Sequence, residues 1–72
     1  MQITFYYNQG QGKYGAELYV KGTEKVNIYF TGDMQITFFV RMMKEMYPIT
    51  IAFHPSITDV TKPYLKQLVA QA

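Results

Sequence analysis

The sequence predicts a two-layer α+β domain with the element order β-β-β-α-β-α. Three observations carry this expectation. The first half holds three stretches that alternate apolar and polar residues, the period of two that a half-buried strand requires. Short glycine-containing connections separate them. After Thr31-Gly32-Asp33 the apolar spacing changes to three and four, the period of a helix.

The first strand is residues 2–8, with Ile3, Phe5 and Tyr7 on one face and Gln2, Thr4, Tyr6 and Asn8 on the other. Gly10 to Gly15 connect it to a second strand over residues 16–21. There Ala16, Leu18 and Val20 oppose Glu17, Tyr19 and Lys21. A turn at Gly22 leads to a third strand, residues 26–31, with Val26, Ile28 and Phe30 inward. Ile36, Phe39, Val40, Met43 and Tyr47 then form one stripe of a helix, with Asp33 as its N-cap and Pro48 as its stop. A hairpin at Gly32-Asp33 followed by another strand competes with this reading, because Thr, Phe and Val are indifferent helix formers.

Ile49, Ile51 and Phe53 mark a short fourth strand. The last helix carries Tyr64, Leu65, Leu68, Val69 and Ala72 on one side and starts near Thr61, since Pro63 is tolerated only in a first turn. Residues 56–60 are then a turn, although Ser56 and Asp59 have the spacing of an earlier, capped start. The pentapeptide MQITF occurs at 1–5 and again at 34–38. The rest of that offset adds only Tyr14 with Tyr47, so a duplication is not supported.

In a meander the first and third strands run parallel. A helical crossover makes the fourth parallel to both. The economical mixed sheet has the order 3-2-1-4, with both helices on the Ile3/Leu18/Ile28/Ile51 face.

Composition narrows the function classes. Seventy-two residues make one domain, 1–72, and 49% hydrophobic residues suffice for a packed core with little left for a deep cleft. Burial can be completed by a partner or a second copy, which makes a homo-oligomer one expectation. A net charge of +2, spread along the chain, argues against nucleic-acid binding through charge alone. Without cysteine there is neither a disulfide nor a thiolate metal site. The first eight residues lack the features of a secretory signal, and no apolar run reaches the ~20 residues that span a bilayer. A soluble cytoplasmic domain with no membrane contact, no cofactor and no bound metal is the expectation.

Tyr14-Gly15-Ala16 followed by the alternating Glu17 to Val20, and Met34-Gln35-Ile36 at the start of the first helix, resemble the ribonuclease H-like fold. The resemblance spans nearly all of this chain and the first two thirds of the family's. It implies the same meander. It also implies a two-metal nuclease site with carboxylates ending strand one, on the first helix and ending strand four, since hard divalent cations want anionic oxygen. This chain offers Tyr7 or Asn8, then Gln35, then His54 at those places. The resemblance therefore implies the fold while the residues argue against the nuclease activity.

Gly10, Gly12 and Gly15 fit the phosphate-binding spacing G-x-G-x-x-G. That motif needs a helix directly after it, and a strand follows instead. His54, the sole histidine, is not fixed near an acid or a nucleophile by spacing, so no catalytic residue is assigned.

Two surfaces remain. Tyr6, Tyr19 and Tyr29 would form a row on the outward sheet face beside Lys21, suited to protein contact or base stacking. Phe38, Met42 and Met46 form an apolar flank of the first helix that a small domain leaves uncovered. The leading expectation is a non-catalytic binding module acting through protein–protein contact, as an inhibitor or adaptor. The alternatives are nucleic-acid binding on the tyrosine face and a degenerate metal-dependent nuclease using Asn8, Gln35 and His54.

Overall fold

The structure is a computed structural model that describes residues 1–19 and 25–72. Strands β1 (Gln2–Asn8), β2 (Lys13–Tyr19) and β3 (Lys25–Phe30) are followed by helix α1 (Asp33–Met46), strand β4 (Thr50–Phe53) and helix α2 (Lys62–Gln71). The sheet order is β3-β2-β1-β4, with β1 antiparallel to β2 and parallel to β4. The parallel pair needs a crossover, and α1 supplies it.

The alternation of β1 decides the core. Ile3 and Phe5 are fully buried, facing Leu18 and Ala16 on one side and Ile51 and Phe53 on the other. Ile36, Phe39, Val40 and Met43 of α1 and Leu65 and Leu68 of α2 join the same cluster, so both helices cover the same sheet face. Phe5 and Phe30 each bring a ring within 6.2 Å of the other, and Phe30 lies 5.5 Å from Phe39, linking sheet to helix. Lys44 of α1 donates to the Val69 carbonyl of α2 at 2.8 Å, satisfying one of the acceptors that a helix end leaves over.

Several local expectations are corrected. β2 begins at Lys13, so Gly15 and Tyr14 lie inside the strand, and the β1–β2 connection is only residues 9–12. Gly32, in an extended conformation, is the N-cap of α1, and Asp33 is its first helical residue. The Asp33 carboxylate still favours the positive end of the helix, but from inside the first turn. Gln35 closes that end by accepting the Thr31 N–H at 2.9 Å. Ser56 and Asp59 do not start a helix; the chain turns through Thr58, whose hydroxyl and carbonyl bond Thr61, and α2 follows. Ile57 within that turn is buried, a core residue that no periodicity marks. Val20 and Gly22, placed on the second strand and its turn from sequence, lie outside the described residues.

Leu65 is fully enclosed, whereas Val60 is 88% exposed. Leu65→Ala is expected to cost about 2–5 kcal/mol through lost burial and the cavity left behind. Val60→Ala should stay within about 0.5 kcal/mol of the parent. Urea unfolding followed by circular dichroism measures both.

Candidate binding surface

The glycine-rich stretch is resolved by the hairpin. The Asn8 carbonyl accepts the Gly12 N–H at 2.8 Å, and its side-chain oxygen accepts the Gln11 N–H at 3.2 Å. Gly12 has φ 65°, the left-handed conformation that closes the turn and that glycine adopts without strain. Gly15 has a different task. It faces Tyr6 on β1 and Tyr29 on β3, on the sheet face opposite the helices. A Cβ on Gly15 would meet the Tyr6 ring at 2.7 Å. The missing side chain lets the Tyr6 ring cross over β2.

There Tyr6 packs edge-to-face with Tyr29 at 6.1 Å and donates to the Asn27 side-chain oxygen at 3.1 Å. Tyr6 is pushed up to about 12, first by burial, then by its hydrogen bond with Tyr29 and by the nearby Tyr29 and Glu17 charges. Tyr29 is held below the ordinary phenol range because Tyr6 and Asn8 offer it hydrogen bonds. Tyr19 is not part of this pair. It faces Lys25, four residues along β2 from Gly15, so the expected row of three tyrosines is a pair plus one distant ring. Lys21 lies outside the described residues.

The three positions compared with a two-metal site each hold local structure. Asn8 closes the hairpin, and Gln35 closes the α1 N-terminus. His54 Nδ1 accepts the Ser56 N–H at 3.0 Å and contacts the Ser56 hydroxyl at 2.9 Å. That hydroxyl in turn accepts the Tyr7 N–H at 2.9 Å, while the His54 N–H reaches the Phe5 carbonyl at 2.8 Å. Sequence spacing gave no hint of the Ser56 contact, which depends on the turn at Pro55. Its bonds tie the exit of β4 to β1. Among the described residues no three His, Asp or Glu side chains converge.

The opposite face offers a concave apolar site. α1 packs its Ile36/Phe39/Val40/Met43 stripe inward, which turns Phe38, Met42 and Met46 outward. Phe38 is 66% exposed and Met34 86% exposed. Between α1 and β3 lies an open groove of about 370 Å³, lined by Ile28, Tyr29 and Phe30 from the strand and by Met34, Gln35, Phe38, Phe39 and Met42 from the helix. Among the described lining residues only Gln35 and the Tyr29 hydroxyl bring side-chain polarity to it. β3 is a sheet edge, and its inward Val26 is 39% exposed, so strand and groove form one continuous surface. Met34 belongs to this surface although the helical stripe alone did not mark it.

At the N-terminal end of α1, Tyr64 of α2 is pushed up to about 12, chiefly by its hydrogen bond to the Asp33 carboxylate. Tyr64 therefore sits at the margin of the α2 stripe and not within the core. No helix among the described residues is long and apolar enough to cross a membrane. Comparison with protein-family models, with curated proteins and with solved structures gives no match to this chain.

Two expectations follow from this geometry. Gly15→Ala should cost about 1–3 kcal/mol in the parent, where the new methyl strikes the Tyr6 ring. In a Tyr6→Ala background the same change should be neutral or stabilising by up to ~1 kcal/mol, since alanine costs less backbone entropy than glycine in a strand. Denaturant unfolding of the parent and the three variants tests this reversal of sign.

The second expectation concerns pH. Tyr6 and Tyr64 both have folded-state values above the ordinary 10.0, so their stabilising contributions are complete below pH 10 and are lost as the pH rises towards about 12. Tyr29, shifted the other way, opposes this in part. Thermal melts should therefore fall over that window, and Tyr64→Phe should flatten the fall.

Proposed function

We propose that the protein is a non-catalytic binding module that acts by protein–protein association through the β3 edge and the adjoining α1 flank. The observation that supports this best is the apolar groove between Ile28/Phe30 and Phe38/Met42, open beside an edge strand. An extended segment laid against β3 would gain main-chain hydrogen bonds, and its alternate side chains would enter the groove. Phe38 and Met42 would be the anchors: large, apolar and, for methionine, adaptable in shape.

A ribonuclease H-like ancestry without the catalytic carboxylates is part of this reading. The element order and the 3-2-1-4 sheet are what that resemblance implies. Engagement of Asn8, Gln35 and His54 in local hydrogen bonds supports a scaffold role for those positions. The tyrosine face is a less favourable docking site. Tyr6 and Tyr29 are tied to Asn27 and Asn8, and Lys25 is paired with Glu17 at 3.5 Å, so docking there would have to compete with bonds already made.

The test is a peptide-display selection for extended ligands, followed by NMR titration of the labelled protein. Peptides with alternating apolar residues should shift resonances of β3 and α1. Phe38→Asp with Met42→Asp should weaken them by at least about tenfold while the fold persists. Shifts confined to Tyr6, Tyr19 and Tyr29, with oligonucleotide binding that weakens steeply in salt, would overturn the proposal in favour of nucleic acid.

A further inference from the structure

Resting on that reading of the site, we infer that the partner of the β3–α1 surface is a second copy of this chain, joined by antiparallel β3–β3 pairing about a two-fold axis. Among the described residues the edge is unguarded. Proteins protect edge strands with lysine, proline, bulges or inward charge. From Val26 to Phe30 the strand has none of these, and Lys25 is drawn back across β2 towards Glu17. The surface asks for an extended strand with alternate apolar residues and a free edge. β3 is itself such a strand.

Symmetry restricts the register. Opposed residues in an antiparallel pair project to the same face, so groove-side residues must meet groove-side residues. Centring the axis on Ile28 sets Ile28 against its own copy and Val26 against Phe30, with Asn27 against Tyr29 on the other face. Centring it on Asn27 leaves Phe30 without a β3 residue opposite. The Ile28 register is therefore the one that completes the apolar face, giving a continuous eight-stranded sheet.

The two-fold also runs α1 antiparallel to its copy across the groove. Arg41 and Glu45, one turn apart, border a hollow shared with Phe38 and Met42, and neither has an ion-pair partner among the described residues. An antiparallel copy turns the arginine of each flank towards the glutamate of the other. The exposed parts of Val26, Tyr29, Met34, Phe38, Met42 and Met46 amount to roughly 600 Å² per protomer, against ~800 Å² per partner in a standard interface. The paired main chain of β3 makes up much of the difference. Pairing β3 with the other edge, β4, would be head-to-tail and open-ended, whereas the β3 two-fold closes.

The experiment is sedimentation equilibrium of the full chain together with single-cysteine cross-linking, for which the cysteine-free sequence is a clean background. The parent should show twice its 8.4 kDa mass in a concentration-dependent manner. Val26→Lys, and separately Phe38→Asp, should return the monomer mass with native circular dichroism. Ile28→Cys should form a disulfide-linked dimer on mild oxidation, and Thr50→Cys on the opposite edge should not. A parent that stays monomeric across the concentration range overturns the second copy. If the selected peptides still bind β3 and α1, the binding reading stands without it. A dimer indifferent to both surface variants, or cross-linked through Thr50→Cys, overturns the proposed interface.

Discussion

Everything in this domain depends on the burial of Ile3 and Phe5 on a strand that is bonded on both sides. β1 pairs antiparallel with β2 and parallel with β4, and those two side chains reach zero exposure only because the neighbours on both flanks and the helices above are present together. The β2 partner comes from a local hairpin, but the β4 contacts connect residues ~50 positions apart, so β1 gains its second partner only when the crossover through α1 is complete. Burial then decreases outward from β1. Ile51 and Phe53 on one edge are half-buried, and on the other Ile28 is partly covered and Val26 exposed. Two helices are barely enough cover for a sheet four strands wide. The apolar margin along β3 and α1 is thus a direct consequence of a core centred on β1 in a short chain.

The recurrence of MQITF shows how much of this was legible locally. At 1–5 the segment enters β1, and at 34–38 it lies in α1. Its own propensity decides nothing. What distinguishes the copies is the flanking pattern: Tyr6-Tyr7-Asn8 continues an alternation, whereas Phe39-Val40-Arg41-Met42-Met43 continues a three-four spacing. Patterns of that length gave the six elements and the sheet order. Short-range chemistry was less legible. Gly32 rather than Asp33 caps α1, because Gln35 reaches back to the Thr31 N–H and no cap side chain is needed.

Cross-strand register was the information that alternation lacks. A row of three tyrosines requires that Tyr6, Tyr19 and Tyr29 share one rung of the sheet. The four-residue β1–β2 connection instead places Gly15 on that rung and Tyr19 four residues further on. Loop length sets register, and a strand start misplaced by three residues is enough to misplace a surface residue. The α1 flank suffered no such error. A helix has one internal period, so Phe38, Met42 and Met46 were placed outward without knowledge of any partner strand. The Ser56–His54 contact was illegible for the same reason as Tyr19, since it rests on the path of a turn.

The two faces of the sheet express a division of polar satisfaction. On the outward face, Tyr6, Tyr29, Asn27 and Asn8 bond one another, and Gly15 exists to let one ring lie across the strand. Such a network is complete in water and gains little from being covered, because a docking group must replace bonds already made. At the β3 edge the balance is reversed. Its outward main-chain groups can exchange water for another strand at little cost, while the adjoining Phe38, Met42 and Val26 side chains would leave water altogether. In the proposed association the driving force would therefore lie at the rim of the sheet and not on its tyrosine face. That is where the fold runs out of helix to cover it.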